Sequence, residues 1–218
     1  MACSMVNLTY RIVFFEYGRH QNNLVYTDYA KELIGGLPQK IDKYIPLDFT
    51  TGLCGFGWGM EYLVQHQFVD GSSVEICADI DQKIMNLNMR RITDLSIESG
   101  LEGFLHYILM RLEGVKMRDE SCPFDDLYLK DIYNRLQLLT EKDISNGLCC
   151  LKQAFIAYLD TGSLTYKPDI SLFTNDLEIN SEKDIVSSKL GLADGLAGKL
   201  VRIVSEQNLS NHEKCIHH

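Results

Sequence analysis

Apolar residues recur along this chain at two kinds of spacing. The stretches 56–69, 104–112, 151–159 and 199–204 are apolar almost all the way round a helical projection, and none contains proline. A helix without a polar face belongs in an interior. Between them lie stretches with a single apolar face. Val74, Ile76, Ile80, Ile84 and Leu87 recur at helical spacing among Glu75, Asp79, Asp81 and Lys83, behind a Ser72-Ser73 cap. The stretch 125–139 sets Leu127, Ile132, Leu136 and Leu139 against Lys130, Asp131 and Arg135. In 26–41, Tyr29, Leu33, Ile34 and Leu37 oppose Asp28, Lys31 and Glu32. Another apolar helix is predicted at 8–15, followed by a turn at 18–23. Buried inner helices thus alternate with amphipathic outer ones.

The glycines give this alternation a period. Gly52-Leu53-Cys54-Gly55, Gly100-Leu101-Glu102-Gly103, Gly147-Leu148-Cys149-Cys150 and Gly195-Leu196-Ala197-Gly198 share a G-L-x-G core, with one departure at Cys150. Their first glycines, at 52, 100, 147 and 195, are spaced 48, 47 and 48 residues apart. A fixed period in this range marks an array of one supersecondary unit. The expectation is an all-α fold, an α/α array or solenoid of about four to five helical hairpins. It forms one domain over 1–218, with inner helices near 6–18, 55–68, 103–113, 150–160 and 198–205. The fourth outer helix is the weakest, because 165–188 is polar and holds Pro168, and only 181–190 reads as helical. Glycines at inner-helix starts serve close packing, or they open a common mouth where helix dipoles and loops meet.

Charge and cysteine content narrow the function classes. Lys and Arg total 21 against 30 for Asp and Glu, a formal charge of −9 with no basic block. Such a chain is not expected to bind nucleic acid or an anionic membrane surface. No apolar run approaches bilayer length, and the first residues lack the basic and apolar regions of a secretory signal. Seven scattered cysteines then read as reduced thiols in a cytoplasmic protein. Cys54, Cys149 and Cys150 are expected to be small buried apolar residues.

The segments 48–63, 93–103 and 190–198 carry a resemblance. With its repeated G-L-x-G cores, the chain resembles the lanthionine synthetase C-like family. That resemblance implies an α/α toroid and an association with modification of ribosomally made peptides, as in bacterial lantibiotic biosynthesis. Family members add a zinc-activated peptide thiolate to a dehydrated Ser or Thr. Their zinc ligands lie in a Trp-Cys-x-Gly motif and a Cys-His pair followed by Gly, and neither motif occurs here. Cys149-Cys150 is the nearest feature, and it lacks an adjacent His. The family's acid/base histidine is replaced by Asp194. Family toroids close with about seven hairpins, so this chain is expected to form an open array, to close it as a homodimer, or to lack the remaining hairpins.

Candidate residues follow from both readings. Asp48, Asp94 and Asp143 precede three of the cores, and with Asp194 and His106 they are the catalytic candidates. Each aspartate has a plainer role in capping or loop hydrogen bonding; gathered at one mouth, they would shift one another's pKa. Trp58, Glu61, Tyr62, Glu102 and Tyr107 are the binding candidates. The first expectation is a relative that binds a peptide or partner protein, or a degenerate cyclase, with no cofactor beyond the zinc that the resemblance implies. The alternative is a peptide-modifying or carbohydrate-active enzyme that works through clustered carboxylates.

Overall fold

A computed structural model describes residues 3–35 and 45–168. These fall into two compact units, one containing 3–35 and the other 45–168. Every regular element among the described residues is helical. None of those helices is long and apolar enough to cross a membrane.

The first unit holds α1, Cys3–His20, and α2, Leu24–Gly35, which pack against each other. Leu8, Ile12, Val13, Phe15 and Ala30 are buried there, and Phe14 meets Tyr26 and Tyr29 ring to ring. The turn predicted at 18–23 shrinks to 21–23, because α1 runs through Gly18. A side chain there would press on Thr27, so the glycine serves helix packing instead of ending the helix. The Asn23 carboxamide accepts the Val25 N–H at 3.0 Å and starts α2.

The second unit holds α3 (Leu53–Gln65), α4 (Ser73–Met85), a 3₁₀ turn at Met89–Arg91, α5 (Leu101–Met117), α6 (Asp126–Gln137) and α7 (Asn146–Thr161). Helix α5 contacts both α3 and α7; α4 packs on α3, and α6 on α7 and on the 3₁₀ turn. Burial separates inner from outer elements. Fourteen of the 17 residues of α5 are buried, against five of 13 in α4. A helix wrapped on all sides needs apolar residues all round, which is the pattern of 104–112.

Three readings of the apolar pattern are corrected. Leu127 is 68% exposed in the first turn of α6, whose buried face is Tyr128, Leu129, Ile132 and Leu136. Asp125 sets that phase by accepting the Tyr128 N–H at 2.7 Å, which turns Leu127 outward. Helix α7 buries only Leu148, Leu151, Ala154 and Phe155, because its described neighbours lie along one side. Consequently Cys150 is exposed and Cys149 half-buried, whereas Cys54 is buried as expected.

The loops leading into α3 and α5 have the same build. Gly52 and Gly100 sit at φ, ψ of −110°, −162° and −108°, −165°. The Leu53 N–H donates to the Pro46 carbonyl at 2.8 Å, and the Leu101 N–H to the Asp94 carbonyl at 3.0 Å. Both glycines have dihedrals open to any residue. What excludes a side chain is the loop itself: a Cβ at Gly100 would lie 2.6 Å from the Asp94 carbonyl oxygen, and one at Gly52 would strike that of Pro46. The fourth outer helix and the inner helix predicted at 198–205 lie outside the described residues, as does Asp194.

Candidate functional site

The loops before α3, α5 and α7 adjoin in a ledge. The Phe49 N–H of the first donates to the Glu98 carbonyl of the second at 2.8 Å. The Ser145 hydroxyl, which caps α7 by accepting the Leu148 N–H, donates to Glu102 Oε2 in the first turn of α5 at 2.7 Å. Each predicted aspartate here bonds within its own loop. Asp48 accepts from the Thr51 N–H at 2.7 Å and from its hydroxyl. Asp94 accepts the Ser96 N–H at 2.9 Å and the Ser99 hydroxyl at 2.8 Å. The Thr140 hydroxyl donates to Asp143 at 2.5 Å. Bonds from Ser96, backbone first, and from Ser99 hold the Asp94 carboxyl below its ordinary pKa.

The aromatic candidates lie directly beneath this ledge. The Phe49 ring stacks on His106 with centroids 5.5 Å apart and meets Trp58 edge-on at 6.3 Å. Trp58 stacks on Tyr62, and Tyr62 on His66. Trp58 and His106 are each only 3% exposed, and Tyr166, from the extended segment after α7, meets both. The Trp58 Nε1–H donates to the Tyr166 hydroxyl at 2.8 Å, and that hydroxyl lies 3.1 Å from His106 Nδ1. An indole N–H can only donate, so the Tyr166 oxygen accepts from Trp58, while the His106 tautomer sets which partner supplies the proton between Tyr166 and His106. Burial pushes the His106 pKa down to about 4, which keeps the imidazole neutral near pH 7.

Glu61 and Tyr107 belong to a different cluster, in which residues outside the candidate set dominate. Arg111 is 0% exposed; its Nη1 bonds Glu61 at 2.5 Å, and its Nη2 and Nε bond Asp81 at 2.8 and 3.2 Å. The Tyr107 hydroxyl donates to Asp81, the Arg118 guanidinium adds a second bond to Glu61 at 2.7 Å, and both arginines reach the Ser73 hydroxyl. Two carboxylates face two guanidiniums. Burial pushes the Glu61 carboxyl up, but bonds from Arg118 and Ser73 and the charges of both arginines outweigh it and hold its pKa low. Two glycines make the room. A Cβ at Gly114 of α5 would collide with the Glu61 carboxylate, and one at Gly57 of α3 with the Tyr107 ring. The signal in the sequence was Arg111 itself, a lone charge inside the run Leu109-Met110-Arg111-Leu112.

The nine candidates among the described residues are therefore distributed over three places. Asp48, Asp94, Asp143 and Glu102 stand on the ledge, Trp58, Tyr62 and His106 beneath it, and Glu61 and Tyr107 in the buried ion cluster. Among the described residues, no three His, Cys, Asp or Glu side chains gather closely enough to hold a metal ion. Burial, ahead of the charges of Asp48 and Asp81, raises the Cys54 thiol far above its ordinary pKa, and burial lifts Cys77 to about 12, so neither offers a ready thiolate. The donors described here do not fit the zinc implied by the family resemblance. A shallow hollow of about 290 Å³ lies between α6 and α7, lined by Asp126, Leu129, Lys130, Tyr133 and Leu159, and it contains none of the candidates. Comparison of the chain with protein-family models, curated proteins and solved structures returned no match.

Proposed function

We propose that the chain binds a peptide, or an extended segment of a partner protein, across the ledge at the inner-helix starts. In this reading it is a cytoplasmic, non-catalytic relative of the lanthionine synthetase C-like proteins, folded as a partial α/α toroid. The alternation of wrapped and one-faced helices, and the matching loops before α3 and α5, support the toroid reading. One observation carries the choice of binding over catalysis. Asp48, Asp94 and Asp143 each bond inside their own loops, and His106 is neutral beside Tyr166, so the catalytic candidates among the described residues hold structure in place.

The ledge itself is well suited to an extended chain. Thr50, Thr51, Glu98, Ser99, Ser145 and Asn146 are exposed along it, with hydroxyl, amide and carboxylate groups for backbone and side-chain hydrogen bonds. Exposed Asp94, Glu98, Glu141 and Asp143 favour a positively charged segment. The test is calorimetric titration of the purified chain with peptides encoded beside its gene. Saturable binding that weakens as salt rises from about 0.1 to about 1 M is the expected result. No saturable heat at about 100 µM peptide overturns the proposal.

A further inference from the structure

Tyr166 is the one buried residue in the segment 163–168, at 7% exposure. Ser163, Thr165 and Lys167 around it are exposed, and the segment has neither helix nor strand. The groups it meets belong to other elements, Trp58 from α3 and His106 from α5, and Phe49 from the loop before α3 packs on both of these. Its chemical demand is specific. The occupant accepts the Trp58 N–H, shares a proton with His106 Nδ1 through the same oxygen, and presents a ring to His106. A phenol meets all three conditions. A phenyl ring lacks the bridging hydroxyl, and a serine or threonine lacks the ring.

We propose that the seat between Trp58 and His106 is a binding site for a tyrosyl side chain of a peptide partner, filled in cis by Tyr166 until a partner displaces it. The proposal rests on the peptide-binding function above and names its anchor. Phe49 joins the two, since its backbone is bonded into the ledge while its ring packs on Trp58 and His106, which hold Tyr166. A peptide lying on the ledge thus has a tyrosine pocket immediately below it. The cis occupant acts as a local competitor at an effective concentration of about millimolar. Only a partner with additional contacts on the ledge outcompetes it, so the strap selects against free tyrosine and short peptides.

Trp58 is the sole tryptophan of the chain and lies in the seat, so its emission reports occupancy directly. The full chain carrying Tyr166→Ala is titrated with p-cresol and, separately, with toluene. The variant's emission is expected to move to longer wavelength, and p-cresol to return it to the wild-type value in a saturable way. Toluene, which cannot bridge the two rings, is expected to need about tenfold more. Unshifted emission in a folded Tyr166→Ala protein, or an equal response to both probes, overturns the proposal. Where circular dichroism shows that Tyr166→Ala does not fold, Tyr166→Phe replaces it. There p-cresol is expected to act at about tenfold lower concentration than on the wild type, and equal concentrations overturn the proposal. The peptide acetyl-Leu-Thr-Tyr-Lys-amide should then restore the variant's emission where its Phe counterpart does not; equal restoration also overturns it. Because p-cresol needs no ledge, failure here leaves ledge binding standing, and loss of ledge binding alone leaves the p-cresol result intact.

Discussion

Helices α3 and α5 enclose two buried polar clusters that are held in opposite ways. The Glu61–Arg111–Asp81 cluster is charged and made wholly from helical residues, with glycines on both helices shaped to receive it. The Trp58–Tyr166–His106 cluster is neutral and is completed by one side chain from an irregular segment. Removing a member of the first leaves an unpaired charge in an apolar interior. Emptying the second exposes two aromatic rings to water or to a substitute. Charge with shaped surroundings fixes a core, whereas a neutral hydroxyl on a loose strap leaves it openable.

The largest effect expected from this contrast is Arg111→Ala. It leaves Asp81 without a positive partner and Glu61 with Arg118 alone, and should cost about 3–5 kcal/mol, read from the urea midpoint. Against an ordinary stability of about 5–15 kcal/mol, that brings the chain close to unfolding. A triple replacement, Glu61→Leu with Asp81→Leu and Arg111→Met, should fall within about 2 kcal/mol of the wild type, since apolar groups of similar volume commonly replace a buried ion cluster with little loss. A triple variant as unstable as Arg111→Ala would mean that the cluster supplies net attraction beyond compensating for burial.

Next in size is a pH effect from the neutral cluster. The unfolded chain takes up the His106 proton near pH 6.5 and the folded chain only near 4, because burial disfavours the imidazolium. Between those values the unfolded state binds more protons, so stability falls as pH falls. The expected loss from pH 6.5 to 4 is about 3 kcal/mol, fully developed below the folded value. In His106→Asn that slope should flatten; an unchanged slope would assign it to other groups. Gly114→Ala should follow at about 1–3 kcal/mol, because the added methyl meets the Glu61 carboxylate, which its two arginine partners hold in place. Tyr166→Phe is the smallest, at about 1 kcal/mol for the lost bridging hydroxyl. A larger loss there than for Gly114→Ala would reverse the contrast between a fixed and an openable cluster.

The helices were legible because burial all round leaves a periodic trace. Helix α5 is wrapped on all sides, and its sequence is apolar on all sides. The lead-in loops were legible for a different reason. Gly52 and Gly100 cannot carry side chains against the carbonyls of Pro46 and Asp94, and a steric prohibition repeats with the unit that contains it. Asp81 was unreadable. It stands in an amphipathic stretch among Glu75, Asp79 and Lys83, and only its partner Arg111, 30 residues away, distinguishes it as buried. Tyr166 was hidden in a polar, proline-bearing stretch without periodicity, since an extended strap needs no repeating pattern to deliver one side chain. Leu127 was misplaced because one capping residue set the phase of α6.

The reciprocal glycines of α3 and α5 have a mechanical consequence. Each helix carries a hole where the other carries a projection: Gly57 under Tyr107, and Gly114 under Glu61. A slide by one helical turn, about 5.4 Å, would bring both projections against filled backbone at once. The pair therefore behaves as a keyed shaft with a single permitted setting. Helices α3 and α5 cannot creep past each other under load, and the loops at their heads stay level.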